Sequence, residues 1–427
     1  VDPTVLADLT GVTKRVYSKF FEDLYPLLTP LLAQVKKMNP KRMRYGGDAV
    51  YFSVRLNRRG NFTTSAGALP RGADAATAQG NLGITRSYIR QELDGLALAA
   101  TEASEASFVS LAKKSLDETL YEIQLNQNRI LHGDGLGVRA SVTVVTDTTN
   151  ITIDHAYGIT GAGPGAAHLA PGEFVAVRDI TGATLRGTAV ISTITPAAAG
   201  TAAILFATAI AGMVATDVVV TASTATDDSW GRESNGLDAI IDPDAGFTNF
   251  EGINAATAAN LRWKSQKSDV SGTGTVDEIE IMKLCALVKS KGGVDPLMNP
   301  DEFLLITSTG ITIQYAEPLL GQRRFERDYE LRGGWKATTV AGLPMIDDPD
   351  CPRGRLYLIH IPSLTWVDLR NFGKLKYGDS TGWIQVADQD AFACTLRSYW
   401  NFGCIVRNTH GVIHGITDTA DYSRVMV

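Results

Sequence analysis

Apolar positions in the first stretch of the chain come in short helical patches interrupted by Pro26, Pro30 and Pro40. Prolines so spaced prevent one continuous helix. Val16, Tyr17, Phe20, Phe21 and Leu24 need a surface that this segment cannot supply, so residues 1–45 read as an arm laid over something else, a neighbouring subunit included. Next, AVYFSVRLN (49–57) alternates with period two and places Val50, Phe52, Val54 and Leu56 on one face. A weaker strand pattern follows at 83–91, and about 25 polar, Gly- and Ala-rich residues separate the two. A connection of that length suggests a functional loop or an interface element.

From 104 to 131 the period becomes helical, with Phe108, Leu111, Leu116, Leu120, Ile123 and Ile130 as the apolar positions and Gly133 placed to end the helix. At roughly 1.5 Å per residue it would run about 40 Å. Residues 139–226 are short β-branched runs (VTVVT, EFVAVRD, TAVIST, ILFAT, DVVVTA) between turn residues, which predicts a small all-β domain. GLDAII (236–241) reads as a strand. A second helix follows, with Thr275 and Glu278 as its capping box, Ile279, Met282, Cys285 and Val288 as its apolar positions, and Gly292-Gly293 as its stop. From EFLLITST (302–309) onward, strands alternate with loops.

Composition changes this picture little. With 427 residues the chain exceeds one ordinary core, and two or three domains are expected. A formal net charge of −6 argues against a dedicated nucleic-acid reader, which would carry a basic excess. The run from Gly187 to Thr216 holds no charged residue, but Pro196, Gly200, Gly212 and many Ala and Thr make it a poor membrane span. The widely spaced Cys285, Cys351, Cys394 and Cys404 fit reduced thiols better than a secreted framework. The opening Val-Asp-Pro, without initiator Met, suggests a processed or trimmed start.

Candidate chemistry is sparse. None of the six histidines falls in a catalytic motif. His410 and His414 have the spacing of a helical metal pair, but HGVIHG favours a strand, where they would stand roughly 13 Å apart. GAGPG (161–165) lacks the strand-to-helix setting and the Lys-Ser/Thr of a phosphate loop, so it reads as a turn. Cys351 reads as a half-buried structural thiol. No cofactor or metal is expected. The basic run Lys36, Lys37, Lys41, Arg42 and Arg44 is a solvated face or a phosphate contact. Arg55, Arg58, Arg59 and Arg71 on the long loop suit charge-assisted contacts with a neighbour's carboxylates.

The segments ETLYEIQLNQNRILHGDGLG (118–137), GLDAIID (236–242), VAGLPMIDDPDCPRGRLYLIH (340–360) and LRSYWNFGCIVRNTHGVIHGI (396–416), in this order, resemble the major capsid proteins of tailed phages, the Hong Kong 97-type fold. The resemblance implies an α+β chain: N-terminal arm 1–45, extended two-stranded loop 46–92, peripheral domain 93–138 with the long helix as spine, and an inserted all-β domain 139–226. The peripheral domain would continue through 227–292, with an axial domain at 293–395 and closing strands at 396–427. It implies a homo-oligomer of hexamers and pentamers enclosing double-stranded DNA, with portal and scaffolding or cement proteins as partners, no membrane, and a place in the virion after assembly in the host cytoplasm. No crosslinking residues are expected. An encapsulin-like compartment shares the fold and is the first rival. An adhesion module at 139–226 is the second, disfavoured because Tyr157, Phe174 and Phe206 are too few aromatics for a sugar platform. An enzyme ranks third.

Overall fold

A computed structural model describes residues 29–38, 41–44, 49–56, 77–96, 111–197, 201–241, 249–321, 329–330, 336–375, 383–387 and 389–418. Helix α1 (Pro30–Met38) begins with Pro at its first position, where the missing N–H costs nothing, and leads into β1 (Lys41–Arg44). Strands β2 (Val50–Arg55) and β3 (Thr77–Leu82) form an antiparallel hairpin, with Val50 opposite Leu82 and Arg55 opposite Thr77. The expected alternation holds: Val50, Phe52, Val54 and Leu56 turn inward, and Tyr51, Ser53 and Arg55 stay exposed.

The partner of this hairpin differs from the sequence reading. The strand signal at 83–91 is real and becomes β4 (Thr85–Asp94), but β4 pairs antiparallel with residues 391–400. The hairpin closes instead on TAQGNL, a composition that reads as loop. Pairing with β2 and packing of Leu82 against Val50 and Val367 override its weak strand propensity.

Helix α2 (Leu111–His132) is the long helix; 104–110 lie outside the described residues. Its inward face is not the expected apolar stripe alone. Leu120 is exposed, whereas Ile123, Leu125 and Leu131 are buried beside Gln127, Asn128, Arg129 and His132.

The all-β segment closes on itself. Strands β5 (Val138–Val145), β6 (Asn150–Ala156), β7 (Phe174–Arg178), β8 (Leu185–Pro196), β9 (Ala202–Phe206) and β10 (Val218–Thr224) run in the order β10-β5-β6-β9-β8-β7, and β7 pairs back to β10. Every pairing is antiparallel, which gives a six-stranded barrel without a free edge inside the ring. The short β11 (Asp227–Asp228) extends β10. Val142, Ile151, Ile153, Val175, Val177, Ile191, Ile204, Phe206 and Val219 fill the interior. Within the uncharged run 187–216, residues up to Pro196 belong to β8 and Ala202–Phe206 form β9. Among the described residues no helix is long and apolar enough to cross a membrane.

GLDAII is a short helix, α3 (Leu237–Ile241), and not a strand. All five of its residues are buried, and a short apolar run without alternation fits a buried helical turn as well as a strand. A Cβ at Gly236 would collide with the carbonyls of Ile130 and Gly133, so only glycine lets α3 start against the end of α2.

A small hairpin, β12 (Asn249–Phe250) and β13 (Ile253–Asn254), precedes β14 (Gln266–Asp269) and helix α4 (Glu278–Gly292). The cap of α4 is Asp277, whose side chain accepts from the amide of Glu280 at 2.8 Å, and not Thr275 with Glu278. Asp277 is still extended, so the helix starts two residues later than the capping-box pattern places it. The buried stripe is Ile281, Leu284, Cys285 and Val288, while Ile279 and Met282 face outward. Gly293 in the left-handed region closes it as expected.

The remaining elements are β15 (Phe303–Thr307), α5 (Thr309–Gly321), β16 (Tyr329–Glu330), β17 (Lys336–Val340), β18 (Leu343–Asp347), β19 (Arg355–His360), β20 (Leu364–Lys374), β21 (Trp383–Gln385), β22 (Ala391–Cys404) and β23 (Gly411–His414). A seven-stranded mixed sheet has the order β14-β23-β19-β15-β18-β17-β16. The second sheet is centred on β22, which pairs with β20, β21 and β4, while β1 lies parallel to β20 at its edge. Trp366 and Trp400 stack at 4.7 Å between these strands.

Candidate assembly surfaces and the joint that positions them

The residues singled out from sequence do not converge on one place. Arg55 ends β2 on its exposed face, and Arg58, Arg59 and Arg71 lie outside the described residues. Lys36 and Lys37 belong to α1, and Lys41, Arg42 and Arg44 form most of β1. The basic run thus occupies a helix and an edge strand, Lys41 opposite Thr365 and Arg44 opposite Asp368, instead of a free tail. Lys36 Nζ donates to Gln127 Oε1 at 3.4 Å, and partial burial lowers its ammonium below the usual lysine range.

The feature that sequence reasoning missed is the joint beneath α1. The amide of Leu31 donates to Asp348 Oδ2 at 3.0 Å, and that of Leu32 to Asn128 Oδ1 at 3.0 Å. Two first-turn N–H groups of α1, which no helix satisfies internally, are thereby capped by side chains from remote parts of the chain. Asn128 Nδ2 in turn donates to both Asp348 oxygens, at 3.0 and 3.1 Å, and to Asp350 Oδ2 at 2.7 Å. His132, one helical turn on, lies 3.2 Å from Asp348. Burial opposes the charge on Asp348, but His132 and the amides of Asp350 and Leu31 hold its carboxyl below the usual range. The signal was present as Asn128 and His132, four apart on α2, and DPD in 348–350, but only contact reveals that they meet.

A second buried set lies at the ends of β19, β22 and β23. His410 Nε2 lies 2.7 Å from Ser363 Oγ and 3.2 Å from Cys404 Sγ, and its Nδ1 accepts the amide of His360. The three side chains resemble a nucleophile beside a base, yet all are buried. Burial, with His360 and Arg407 nearby, lowers His410 to about 3, and burial raises the Cys404 thiol. A base so weak beside a thiol so hard to ionise does not activate a nucleophile. Arg407 donates to the carbonyls of Ala239 and Ile240, capping the C-terminal end of α3, with its guanidinium 5.0 Å from the Phe250 ring. Arg355 pairs with Asp238 on the same helix.

Among the described residues no group of three or more His, Cys, Asp or Glu is arranged to hold a metal. His414 lies on β23 with Asp269 3.7 Å away, and Cys351 is buried with its thiol pushed up by burial. All four cysteines are free and buried. GAGPG is a turn, with Gly161 and Gly163 in the left-handed region. A void of about 10 Å³ under α1, lined by Leu31, Val35, Leu304 and Ile359, has room for at most one water.

What the surface does offer is exposed apolar side chains on rigid elements: Ile279 and Met282 on α4, Met298 after it, Ile313 on α5 and Leu369 on β20. No family model matches the sequence, and no curated protein does. Among solved structures, the cyanophage A-1(L) capsid aligns over 96% of this chain and 98% of its own, with 13% identity and a TM-score of 0.58. The chain shares the fold of this phage capsid protein. The holo-SrpI encapsulin complex from Synechococcus elongatus PCC 7942 aligns over 99% of this chain and 98% of its own, with 8% identity and a TM-score of 0.48. A native GTA particle capsid aligns over 98% of this chain and all of its own, at 7% identity and 0.49.

Proposed function

We propose that this chain is the major capsid protein of a tailed phage, a structural subunit without catalysis that assembles into hexamers and pentamers of an icosahedral shell around double-stranded DNA. The observation that carries this reading is the end-to-end match to a phage capsid chain. Residues 46–92 are the extended loop, 93–138 and 227–292 the peripheral domain with α2 as its spine, 293–395 the axial domain and 396–427 the closing strands. Arg55, Arg58, Arg59 and Arg71 then contact a neighbouring subunit's carboxylates, and Lys36, Lys37, Lys41, Arg42 and Arg44 face the packaged DNA through non-specific phosphate contacts. Portal and scaffolding or cement proteins complete the particle in the host cytoplasm.

The test is negative-stain electron microscopy with light scattering, on the chain expressed alone and with its neighbouring genes. Closed shells or ring-shaped capsomers are expected. A monomer under both regimes would overturn the reading, and particles filled with a bound enzyme instead of DNA would move it to an encapsulin-like compartment.

A further inference from the structure

The barrel is held to the body by more than its two chain connections. Residues 157–164, which follow β6, reach the loop 348–353 that carries Asp348 and Asp350. Tyr157 Oη donates to the carbonyl of Asp350 at 2.8 Å, and the amide of Arg353 donates to the carbonyl of Ala162 at 3.0 Å. A Cβ at Gly163, itself in the left-handed region, would stand 3.0 Å from Arg353 Nε, so glycine is what admits this close approach. Tyr157 is out of place as a turn residue. Its φ is 58°, a conformation that bulky residues rarely adopt, and glycine or asparagine would fill it with less strain. Its ring is buried, 4.8 Å from the ring of His168. Burial and the carboxylates of Asp350 and Asp348 push its hydroxyl well above the usual tyrosine range, which keeps it a donor.

We propose that Tyr157 is a positioning residue through which the barrel clamps the 348–353 loop, and that this clamp sets how firmly the joint beneath α1 holds that helix. The contacts run without a break. Tyr157 fixes the Asp350 backbone, the Asp350 carboxylate accepts from Asn128, and Asn128 and Asp348 accept the amides of Leu32 and Leu31. At its other end the loop is anchored by the Asp348 amide, which donates to the carbonyl of Thr307 on β15 at 3.0 Å. The barrel's interlocked apolar interior gives the clamp a rigid support, as a positioning group requires. A strained aromatic at this turn is thereby explained: its hydroxyl must reach the body. The barrel is a working part of the joint, and drawing residues 157–164 away from the body loosens α1.

Hydrogen exchange of the full chain tests this, and it needs no shell to form. Tyr157→Phe keeps the ring and removes the hydroxyl. The amides of Leu31 and Leu32 should then exchange about fivefold faster, the worth of one hydrogen bond, while the amides of β8 and β9 keep their rates. Asn128→Ala breaks the chain of contacts in its middle, so adding Tyr157→Phe to it should accelerate Leu31 no further. Unchanged rates at Leu31 and Leu32 in Tyr157→Phe would mean that the contact only docks the barrel, and would overturn the proposal. Equal acceleration of the barrel strands, or full additivity in the double variant, would mean general loosening and would overturn it too. Should Asn128→Ala not fold, Tyr157→Phe alone decides, because the barrel amides separate local release from general loosening.

Discussion

The barrel and the joint beneath α1 are stabilised by opposite means. In the barrel, Ile151, Ile153, Val175, Val177, Ile191 and Ile204 interlock with no polar atom among them, and its charged pairs sit at the rim. In the joint, Asn128, His132, Asp348 and Asp350 are buried together and hold two backbone amides of an incoming helix. Apolar packing is non-directional and tolerates volume-conserving exchange. A buried polar set works only when every member is present, because each orphan bears its full desolvation cost. The barrel is therefore a robust module, whereas the joint is a specific lock that places α1 on the body in one way.

The sharpest way to break this comparison is to remove the centre of the lock. Asp348→Ala leaves the Leu31 amide and one Asn128 donor without their acceptor, and removes the carboxylate 3.2 Å from His132. The expected loss is about 3–5 kcal/mol, in the range for breaking a buried charged set. Urea unfolding followed by separate probes should show it: fluorescence of the stacked Trp366 and Trp400 shifts to lower denaturant, and exchange protection of the barrel strands is unchanged. A shift below about 1 kcal/mol would mean that apolar contacts of Leu31, Leu32 and Val35 seat α1 without the lock.

This contrast also explains what could be read in advance. The β-branched runs of 139–226 announce a β domain because each strand buries one face locally, and period two is visible in a single segment. Even there, closure of the ring depends on β7 meeting β10, which no local pattern encodes. The joint was illegible for the same reason in stronger form: Asn128 and Asp348 are 220 positions apart. Short elements misled where tertiary context outweighed propensity, as with TAQGNL becoming a strand and GLDAII a helix. Of the candidate contact residues, sequence named the types and left their positions to the fold: Lys41, Arg42 and Arg44 became an edge strand.

Glu251 sharpens the comparison through pH. Its backbone is in the left-handed region, its carbonyl accepts from Asn81 in β3, and its Oε1 accepts from the Cys404 amide at 2.9 Å. Burial raises its carboxyl to about 8 from an ordinary 4.5, although the Cys404 amide and Arg407 pull the other way. The folded state therefore holds a proton that the unfolded chain gives up. This contribution is complete below pH 4.5, declines as pH rises, and is lost once pH passes about 8. Glu251→Gln keeps the acceptor and cannot ionise. Denaturation midpoints of wild type and variant, measured from pH 4 to 9, should diverge in the variant's favour across this window and run parallel above it. Parallel curves throughout would mean that Glu251 is already ionised in the body, beside Arg407.

The smallest expected effect lies in the barrel, where the comparison predicts tolerance. Ile204 is fully buried, opposite Ile151 on β6 and Ile194 on β8. Ile204→Val deletes one methylene, and such deletions cost about 0.5–1.5 kcal/mol through lost transfer energy and a residual void. Neighbouring Ile and Val side chains can shift by small amounts into that space, because no hydrogen bond fixes their orientation. Hydrogen exchange of the β6, β8 and β9 amides should accelerate by a factor matching this cost, while the amides of Leu31 and Leu32 keep their rates. Acceleration at Leu31 and Leu32 as well would show that barrel and joint unfold as one cooperative unit, and the distinction between module and lock would then describe composition alone.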